Sequence, residues 1–324
     1  MKLQTPVADE KCRVGISYDD KIMMLGSCFS DNIGKRLSEL GFDVCVNPFG
    51  TLYNPASIAT AVSRLVSGEH FTEKDCVEIG AGCERVCSFS HHTSFSGTDA
   101  KEFLTKANDA LDTASLFFRE CNKVIITLGT SWCFRHIGTG SIVSNCLKHP
   151  AVEFQRERLE VQEIATLLKD IIETDCGKRK EYIFTVSPIR HFKDGAHGNQ
   201  LSKAGLLLGI DSVIGDRAEY FPAYEIVMDE LRDYRFYAED LVHPSNQAIE
   251  YIWEKFTEAM FTERTKQLLP KVMKIVTAAT HRPFNSTSRE YKEFCLKQLE
   301  AAMGIEEVDF SDECAIFSQY SDKS

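Results

Sequence analysis

The sequence predicts an α/β fold in which a parallel sheet carries helices on both faces. Short apolar runs alternate along the chain with segments whose apolar residues recur at helical spacing, and this alternation is typical of parallel sheets. A length of 324 residues with 43% hydrophobic and 26% charged residues fits one large globular domain with additions, or two small domains.

The predicted strands are four apolar runs, at residues 22–25, 44–46, 124–128 and 182–186. Each run is followed by a loop of polar, glycine or proline residues, which read in chain order GSCFS, NPFGTLYNP, GTSWCF and SPIRHFKDG. Ligands of parallel sheets bind beyond the carboxyl ends of the strands. We therefore expect the functional site in these four loops.

The predicted helices follow from apolar residues at intervals of three and four. They cover residues 31–40, 56–66, 98–119, 153–174, 201–214 and 247–261, and Asn54-Pro55 marks the start of the second. Residues 67–97 are predicted to form a small antiparallel insertion. Because the chain after Pro270 has no place in the sheet, we expect a main domain at 1–270 and, at 271–324, a helical extension with an acidic, mobile end.

Charge and composition exclude several classes of function. The net charge is -11 without a strong basic block, which disfavours a partner among nucleic acids or anionic membranes. No apolar run reaches the ~20 residues that span a bilayer, and the first residues lack the apolar core of a signal peptide. We therefore expect a cytoplasmic protein whose twelve cysteines are reduced thiols.

One group of potential metal ligands lies in the predicted insertion, at Cys76, Cys83, Cys87, His91 and His92. Its spacing does not match a zinc motif, and no CxxC pair occurs in the chain. Inward positions on short strands account for these residues, so the sequence predicts no metal ion, and it predicts no organic cofactor.

Three residues have the chemistry of an acyl hydrolase. Asp240 and His243 are three residues apart before a predicted helix, a spacing that lets a carboxylate reach the imidazole of its own loop. Ser27 follows Gly26 at the turn from a strand to a helix, where backbone N–H groups favour an oxyanion. Two structural interpretations are equally open. Asp240 could cap a turn beside a surface histidine, and Ser27 could be a helix N-cap.

These stretches resemble the GSCFA-domain family, which is grouped with the SGNH (GDSL-like) hydrolases. The resemblance covers roughly residues 20–260 and rests on LGSCFSDNIG, NPFGTLYNP, ITLGTSWCF, FTVSPIRHFKDGAHGNQLSKA and YFPAYEIVMDELRDYRFYAEDLVHPS. It implies a three-layer α/β/α sandwich with a parallel, flavodoxin-like sheet of about five strands. It also implies that Ser27 is the nucleophile, and that Asp240 and His243 match the terminal DxxH of SGNH enzymes.

The first motif departs from the usual Gly-Asp-Ser of SGNH enzymes, since this chain has Gly26-Ser27-Cys28. Aligning the serines makes Ser27 the nucleophile, whereas aligning the glycines places Cys28 at that position. We prefer Ser27 because a DxxH pair is suited to activating a hydroxyl, and we keep Cys28 as the alternative nucleophile.

The residues at the oxyanion positions also differ from the usual pattern of SGNH enzymes. The resemblance places a glycine after the second strand, which Gly50 fits, but Ser131 occupies the position of the usual asparagine. We expect the Ser27 amide and Gly50 to bind the oxyanion together with a replacement donor, for which Asn145 is the candidate. Asn145 could instead be a turn residue that bonds its own backbone.

The loop SPIRHFKDG contributes Arg190 and His191 to the same sheet edge. Arginine is suited to bidentate binding of carboxylate or phosphate, so this pair is a candidate for binding an anionic or sugar-like part of the substrate. Alternatively, Arg190 pairs with an acid in DELRDYRFY and only fixes the loop.

The function that these observations favour is ester hydrolysis of small acylated substrates, acylated sugars among them, through the triad Ser27, His243 and Asp240. The substrate class is a guess from the fold group alone. Two alternatives stay open: an acyltransferase that uses the same residues with a sugar hydroxyl in place of water, and a binding module that keeps the fold without activity.

Overall fold

A five-stranded parallel sheet forms the centre of the computed structural model, which describes residues 5–7, 13–174, 176–281 and 283–321. The strands in chain order are β1 (Lys21–Gly26), β2 (Asp43–Val46), β3 (Val77–Glu78), β4 (Val86–Cys87), β5 (Lys123–Leu128), β6 (Trp132–His136), β7 (Ile142–Val143), β8 (Phe154–Arg158), β9 (Glu181–Val186) and β10 (Ala218–Phe221). The central sheet has the order β10–β9–β5–β1–β2, and its neighbours all pair in parallel.

The helices cover both faces of this sheet. They are α1 (Cys28–Glu39), α2 (Pro55–Ser67), α3 (Ala100–Glu120), α4 (Val161–Glu173), α5 (Gly195–Asp211), the single turn α6 (Ala223–Glu225), α7 (Asn246–Met260), α8 (Glu263–Thr280), α9 (Arg289–Met303) and α10 (Ser311–Ser321). The predicted fold class is confirmed: the protein is α/β, with a five-stranded parallel sheet in a three-layer arrangement.

Alternation along each strand divides the core into two layers, because successive side chains of a strand point to opposite faces. In β1, Ile22 and Met24 pack with α1, α7, α8, α9 and α10. Met23 and Leu25 pack on the other face, with α2, α3, α4 and α5. Strands buried on both faces read as continuous apolar runs, which is why these strands could be found from the sequence.

The order of the strands fixes where a ligand can bind. From β1 the chain moves outward to β2 and then returns to β5 on the other side of β1, as in flavodoxin-like sheets. Such a reversal opens a crevice between the carboxyl ends of the two strands concerned. Here those strands are β1 and β5, so the turn at Ser27 and the short loop 129–131 border the crevice, while the WCF of the expected loop GTSWCF belongs to strand β6.

Several parts of the chain differ from the predictions, and the first is strand β6, where a loop was expected. Residues 153–174 were expected to be one helix, but the first part is strand β8, which pairs antiparallel with β6 beside β7. The sequence FQRER of β8 is polar, so its strand character depends on pairing with β6. The edge strand β10 was not predicted because its sequence AEYF is short and contains Glu219, which is buried by accepting the Arg13 amide.

The insertion contains two short strands, and the C-terminal segment is helical. Strands β3 and β4 form the expected antiparallel pair within residues 67–97. After Pro270 the described chain is helical, and α9 and α10 contribute Cys295, Leu299 and the fully buried Phe317 to the layer that contains α1. The mobile end that the sequence suggested includes residues 322–324, which lie outside the described residues.

Candidate active site

The turn after β1 is held by neighbours on both sides. Gly26 has φ +139°, and a Cβ at this position would overlap the carbonyl oxygen of Thr127 in β5. The Gly26 amide donates to Asn47 Oδ1 at 2.8 Å, and the Ser27 amide donates to the Thr127 carbonyl at 3.1 Å. Only glycine adopts this conformation at no steric cost, so the motif places residues 27 and 28 at the crevice.

Ser27 and Cys28 have different environments although they are adjacent. Ser27 is the N-cap of α1: its hydroxyl accepts the Phe29 amide at 3.3 Å, and the residue is 1% exposed. Cys28 is the first residue of the helix and is partly exposed. The cap interpretation of Ser27 is therefore part of the structure, although it does not exclude a second role for the hydroxyl.

Burial raises the pKa of the Cys28 thiol, and the nearby Asp31 carboxylate raises the pKa further, while the backbone N–H groups of Cys28 and Phe29 lower it. The net effect is a raised pKa, so this thiol is protonated at neutral pH and would need a base to react. Asp31 is itself held by the Asn47 amide, which donates to its carboxylate at 2.6 Å.

Asp240 and His243 form the hydrogen-bonded pair that their spacing predicted. His243 Nδ1 lies 2.6 Å from Asp240 Oδ2, while Asp240 Oδ1 accepts the amides of Val242 and His243, each at 2.9 Å. Donation from the two amides and the imidazole lowers the pKa of Asp240 to about 2. The carboxylate is therefore ionised at neutral pH and orients the half-exposed ring with Nε2 available for chemistry.

The loop that contains this pair is anchored to the loop after β9. The Arg190 amide donates to the Val242 carbonyl at 3.1 Å, and Arg190 Nη1 donates to the Leu241 carbonyl at 3.3 Å. Leu241 has φ +55°, a left-handed conformation that is unusual for leucine. Strain of this kind is typical of functional loops that the surrounding structure holds in place.

The structure does not join Ser27 to His243. Within the described chain, no hydrogen bond links the Ser27 hydroxyl with the imidazole. Ser27 follows β1, whereas His243 is anchored beside β9, which lies two strands away in the sheet. Two strand spacings amount to about 10 Å, so the two groups border the same edge, but direct contact would require movement.

Two of the predicted oxyanion donors, the amides of Gly50 and Ser27, donate to other groups, whereas the Asn145 side chain is held through its oxygen. The Gly50 amide donates to the Asn47 carbonyl at 2.7 Å in a tight turn where Gly50 has φ +79°, and a Cβ on Gly50 would overlap His92. The Ser27 amide is occupied by Thr127. Asn145 accepts the Leu147 amide on Oδ1 at 2.9 Å, which is the backbone-bonded turn that was the alternative interpretation.

Helix α5 contains site residues that the sequence interpretation missed. Asn199 Oδ1 accepts the His191 amide at 2.9 Å, and Ser202 Oγ accepts the amide of the fully buried Ser131 at 2.8 Å. Lys203, only 1% exposed, donates from Nζ to the carbonyls of Gly129 and Ser187 at 2.7 and 2.6 Å. The signal was available, since polar residues at 199, 202 and 203 share one helix face.

Lys203 bridges the first residues after β5 and β9, and burial lowers its pKa to about 7. Within the described ranges, no carboxylate lies within ion-pair distance of Nζ. A buried amine that binds two carbonyls fixes the separation of two loops. We therefore regard Lys203 as the central support of this edge of the sheet.

His191 lies over the same edge, beside Tyr53, whose ring centroid is 6.1 Å away. Burial, Lys203 and His243 together lower the pKa of His191 to about 4. Its buried Nε2 has no hydrogen-bond partner within the described chain. The imidazole is therefore neutral at physiological pH, and Nε2 is the atom that a ligand could satisfy.

The histidines of the insertion have separate roles in the structure. His91 is fully buried against four phenylalanine rings and bonds Ser88 Oγ through Nδ1 at 2.7 Å. Burial lowers the pKa of His91 to about 3, so it is a neutral core residue. His92 packs against Gly50, and the described part of the chain contains no group of three or more potential metal ligands.

The fold and the site define an α/β protein with a polar cleft at the carboxyl edge of its sheet. The chain belongs to the GSCFA family, whose model matches residues 21–256, and the C-terminal domain of GSCFA domain proteins matches residues 272–321. Comparisons with curated proteins and with solved structures found no significant match. None of the helices in the described ranges has the length and apolar character needed to cross a membrane.

Proposed function

We propose that this GSCFA protein is an acyl-ester hydrolase that uses the chemistry of the SGNH (GDSL-like) hydrolases. The observation that supports the proposal is the Asp240–His243 pair, in which an ionised carboxylate holds Nδ1 and leaves Nε2 available. This pair lies at the same edge of a flavodoxin-like sheet as Ser27. In serine hydrolases, such a pair activates a hydroxyl and later protonates the leaving group.

In the proposed reaction, Ser27 Oγ attacks the ester carbonyl while His243 Nε2 takes the hydroxyl proton. The imidazolium then protonates the leaving alcohol, and water releases the acyl group by the same sequence of proton transfers. Because no hydrogen bond joins Ser27 to His243, the mechanism requires the DxxH loop or the ring to approach β1 when substrate binds. Catalytic hydrogen bonds often tighten only in the substrate complex.

The oxyanion would form beside the N-terminus of α1. The first N–H groups of a helix have no partners within the helix, and its dipole favours negative charge there. Attack by Ser27 would also free the Phe29 amide, which the hydroxyl now accepts. Gly50 could contribute only if its amide released the Asn47 carbonyl, whereas Asn145 could donate from Nδ2 while its Oδ1 still accepts the Leu147 amide.

Cys28 is a second candidate nucleophile because it is partly exposed, whereas Ser27 is 1% exposed. A thiol at this position would form a thioester with the same acyl group, and His243 would again take the proton. Thioester intermediates suit transfer to an acceptor hydroxyl as well as hydrolysis. This alternative mechanism uses the same Asp240–His243 pair and the same cleft. Its substrates are again small acylated polar molecules in the cytoplasm.

The experiment that tests the proposal measures hydrolysis of short-chain nitrophenyl esters by the wild type and by Ser27→Ala, Cys28→Ala and His243→Gln. Matched controls are Ser38→Ala, an exposed serine of the same helix, and Cys314→Ala, a partly exposed cysteine of α10. Loss of a triad member typically lowers kcat by about 10⁴–10⁶. Full activity of Ser27→Ala with an inactive Cys28→Ala would transfer the nucleophile to Cys28.

Two further measurements separate the remaining alternatives. A serine-directed phosphonate should label the wild type at Ser27, and an absence of labelling together with an absence of ester turnover would favour a binding module. Transfer of a labelled acyl group to an added sugar, at a rate above its release to water, would identify an acyltransferase.

A further inference from the structure

A pocket of about 280 Å³ lies directly beside the loop that contains the Asp240–His243 pair. Its lining combines two arginine side chains, aromatic rings and an aliphatic floor. The lining residues include Arg190, Phe192, Asn199, Gln200, Tyr224, Val227, Met228, Leu231, Arg232, Asp233, Tyr234 and Tyr237. We infer that this pocket binds a small ring that bears an anionic group, on the leaving-group side of the ester. The assignment to the leaving group rests on the proposed function.

One cation of the pocket is the Arg190 guanidinium. It stacks over the ring of Phe192 at 4.0 Å and lies 5.2 Å from the ring of Tyr237 and 5.6 Å from that of Tyr234. Its Nη1 donates to the Leu241 carbonyl at 3.3 Å. A guanidinium held flat by rings keeps its outer N–H groups free to bind carboxylate or phosphate in a bidentate manner.

Two of the three acids in DELRDYRFY, the segment expected to pair with Arg190, have other partners. Asp233 lies 3.5 Å from Arg235, and Glu230 lies 3.6 Å from Lys255 and bonds the Tyr251 hydroxyl. Within the described ranges, no carboxylate lies within ion-pair distance of Arg190. The lining therefore contains two cations, Arg190 and Arg232, and one carboxylate, Asp233, and this excess of positive charge favours an anionic occupant.

The rest of the lining suits a ring rather than a bare anion. Rings of Tyr234 and Tyr237 offer flat faces, and Val227, Met228 and Leu231 provide an apolar floor. The floor belongs to a π-helical turn at Ile226–Glu230, an irregularity that is frequent at functional sites. A volume of 280 Å³ corresponds to roughly nine water molecules, which is enough for one ring with a substituent.

The pocket is coupled to the Asp–His pair through the backbone. Arg190 bonds the Leu241 and Val242 carbonyls between Asp240 and His243, and Tyr237 precedes Asp240 by three residues. An occupant that orders Arg190 would therefore also order the loop that must approach Ser27. In this way binding energy from a remote group would position the base.

The inference is tested by calorimetric titration of the full-length protein with phenyl phosphate, benzoate, benzyl alcohol and inorganic phosphate. We expect phenyl phosphate or benzoate to bind more tightly than benzyl alcohol and inorganic phosphate, since only the first two combine a ring with an anion. Arg190→Met should weaken this binding about tenfold or more. The control Arg179→Met, an exposed arginine before β9 at the opposite edge of the sheet, should leave it unchanged.

Tyr234→Ala provides a second variant, which we expect to fold because Tyr234 is 64% exposed. It should weaken binding of the ring compounds but not of inorganic phosphate. Equal affinity of wild type and Arg190→Met for phenyl phosphate, or no binding of either anionic ring to the wild type, would overturn the inference. Because the titration uses no carboxylic ester, binding without any carboxylesterase activity would reject only the proposed function.

Discussion

Replacing Lys203 tests whether the support of the site edge is a neutral amine or an ammonium ion. In the folded protein burial lowers the pKa of Lys203 to about 7 from its ordinary value of 10.5. The unfolded chain therefore binds more protons than the folded chain between these values, and stability rises with pH across this window. The contribution of the neutral amine is lost again as the pH falls toward 7.

The size of the effect follows from linkage. Integrating the difference in bound protons from pH 7 to pH 9, with a folded pKa of about 7, gives a gain on the order of 2 kcal/mol. Lys203→Met removes the titrating group and leaves the Gly129 and Ser187 carbonyls unpaired, which costs about 1–3 kcal/mol for each buried carbonyl. This loss of stability is nearly independent of pH, so it can be distinguished from the pH-dependent contribution of the Lys203 amine.

The assay is urea denaturation of wild type and Lys203→Met at pH 7 and at pH 9. We expect the stability advantage of the wild type to grow by on the order of 2 kcal/mol between the two pH values. An advantage that is the same at both pH values would refute the reasoning, because it would mean that the two carbonyls keep Lys203 protonated. If Lys203→Met does not fold, Lys203→Gln serves for the same comparison.

Three further predictions concern the edge of the sheet. Gly26→Ala should destabilise the protein by more than about 3 kcal/mol, because its Cβ would overlap the Thr127 carbonyl oxygen; a small change in the urea midpoint would contradict this. Asn47→Ala should cost about 1–3 kcal/mol by leaving the Gly26 amide and Asp31 without their partner, and equal midpoints for variant and wild type would count against it. His191 should titrate near pH 4 in NMR spectra, its ring becoming charged only below that value; a midpoint near 6.5 would show that the ring is solvated.

The central strands were predictable because burial on both faces gives them continuous apolar sequences. Strand β5 is the clearest case, since all six of its residues are buried. The N-cap of α2 was equally predictable from the sequence. Asn54 accepts the Ser57 amide at 2.9 Å, at the helix start that the Asn-Pro pair predicted. In contrast, β8 reads as a continuation of the helical pattern because its strand partner, β6, is about 20 residues away.

The site was predictable where its geometry is local. Asp240 and His243 bond within one turn, so their spacing contained the information. The alternatives for Asn145 and Arg190 could not be settled in this way. The role of Arg190, for example, depends on other segments, since Asp233 and Glu230 lie near Arg235 and Lys255.

By itself, the sequence determined the fold class, the strand-end loops that border the site and the local Asp–His pair. Only the tertiary structure decided that β1 and β5 are neighbours, that Ser27 is buried while Cys28 is partly exposed, and that Lys203 joins two loops. The reason is physical: apolar periodicity and turn chemistry act over a few residues. Strand order and the partners of buried polar groups are decided instead by contacts between segments far apart in the chain.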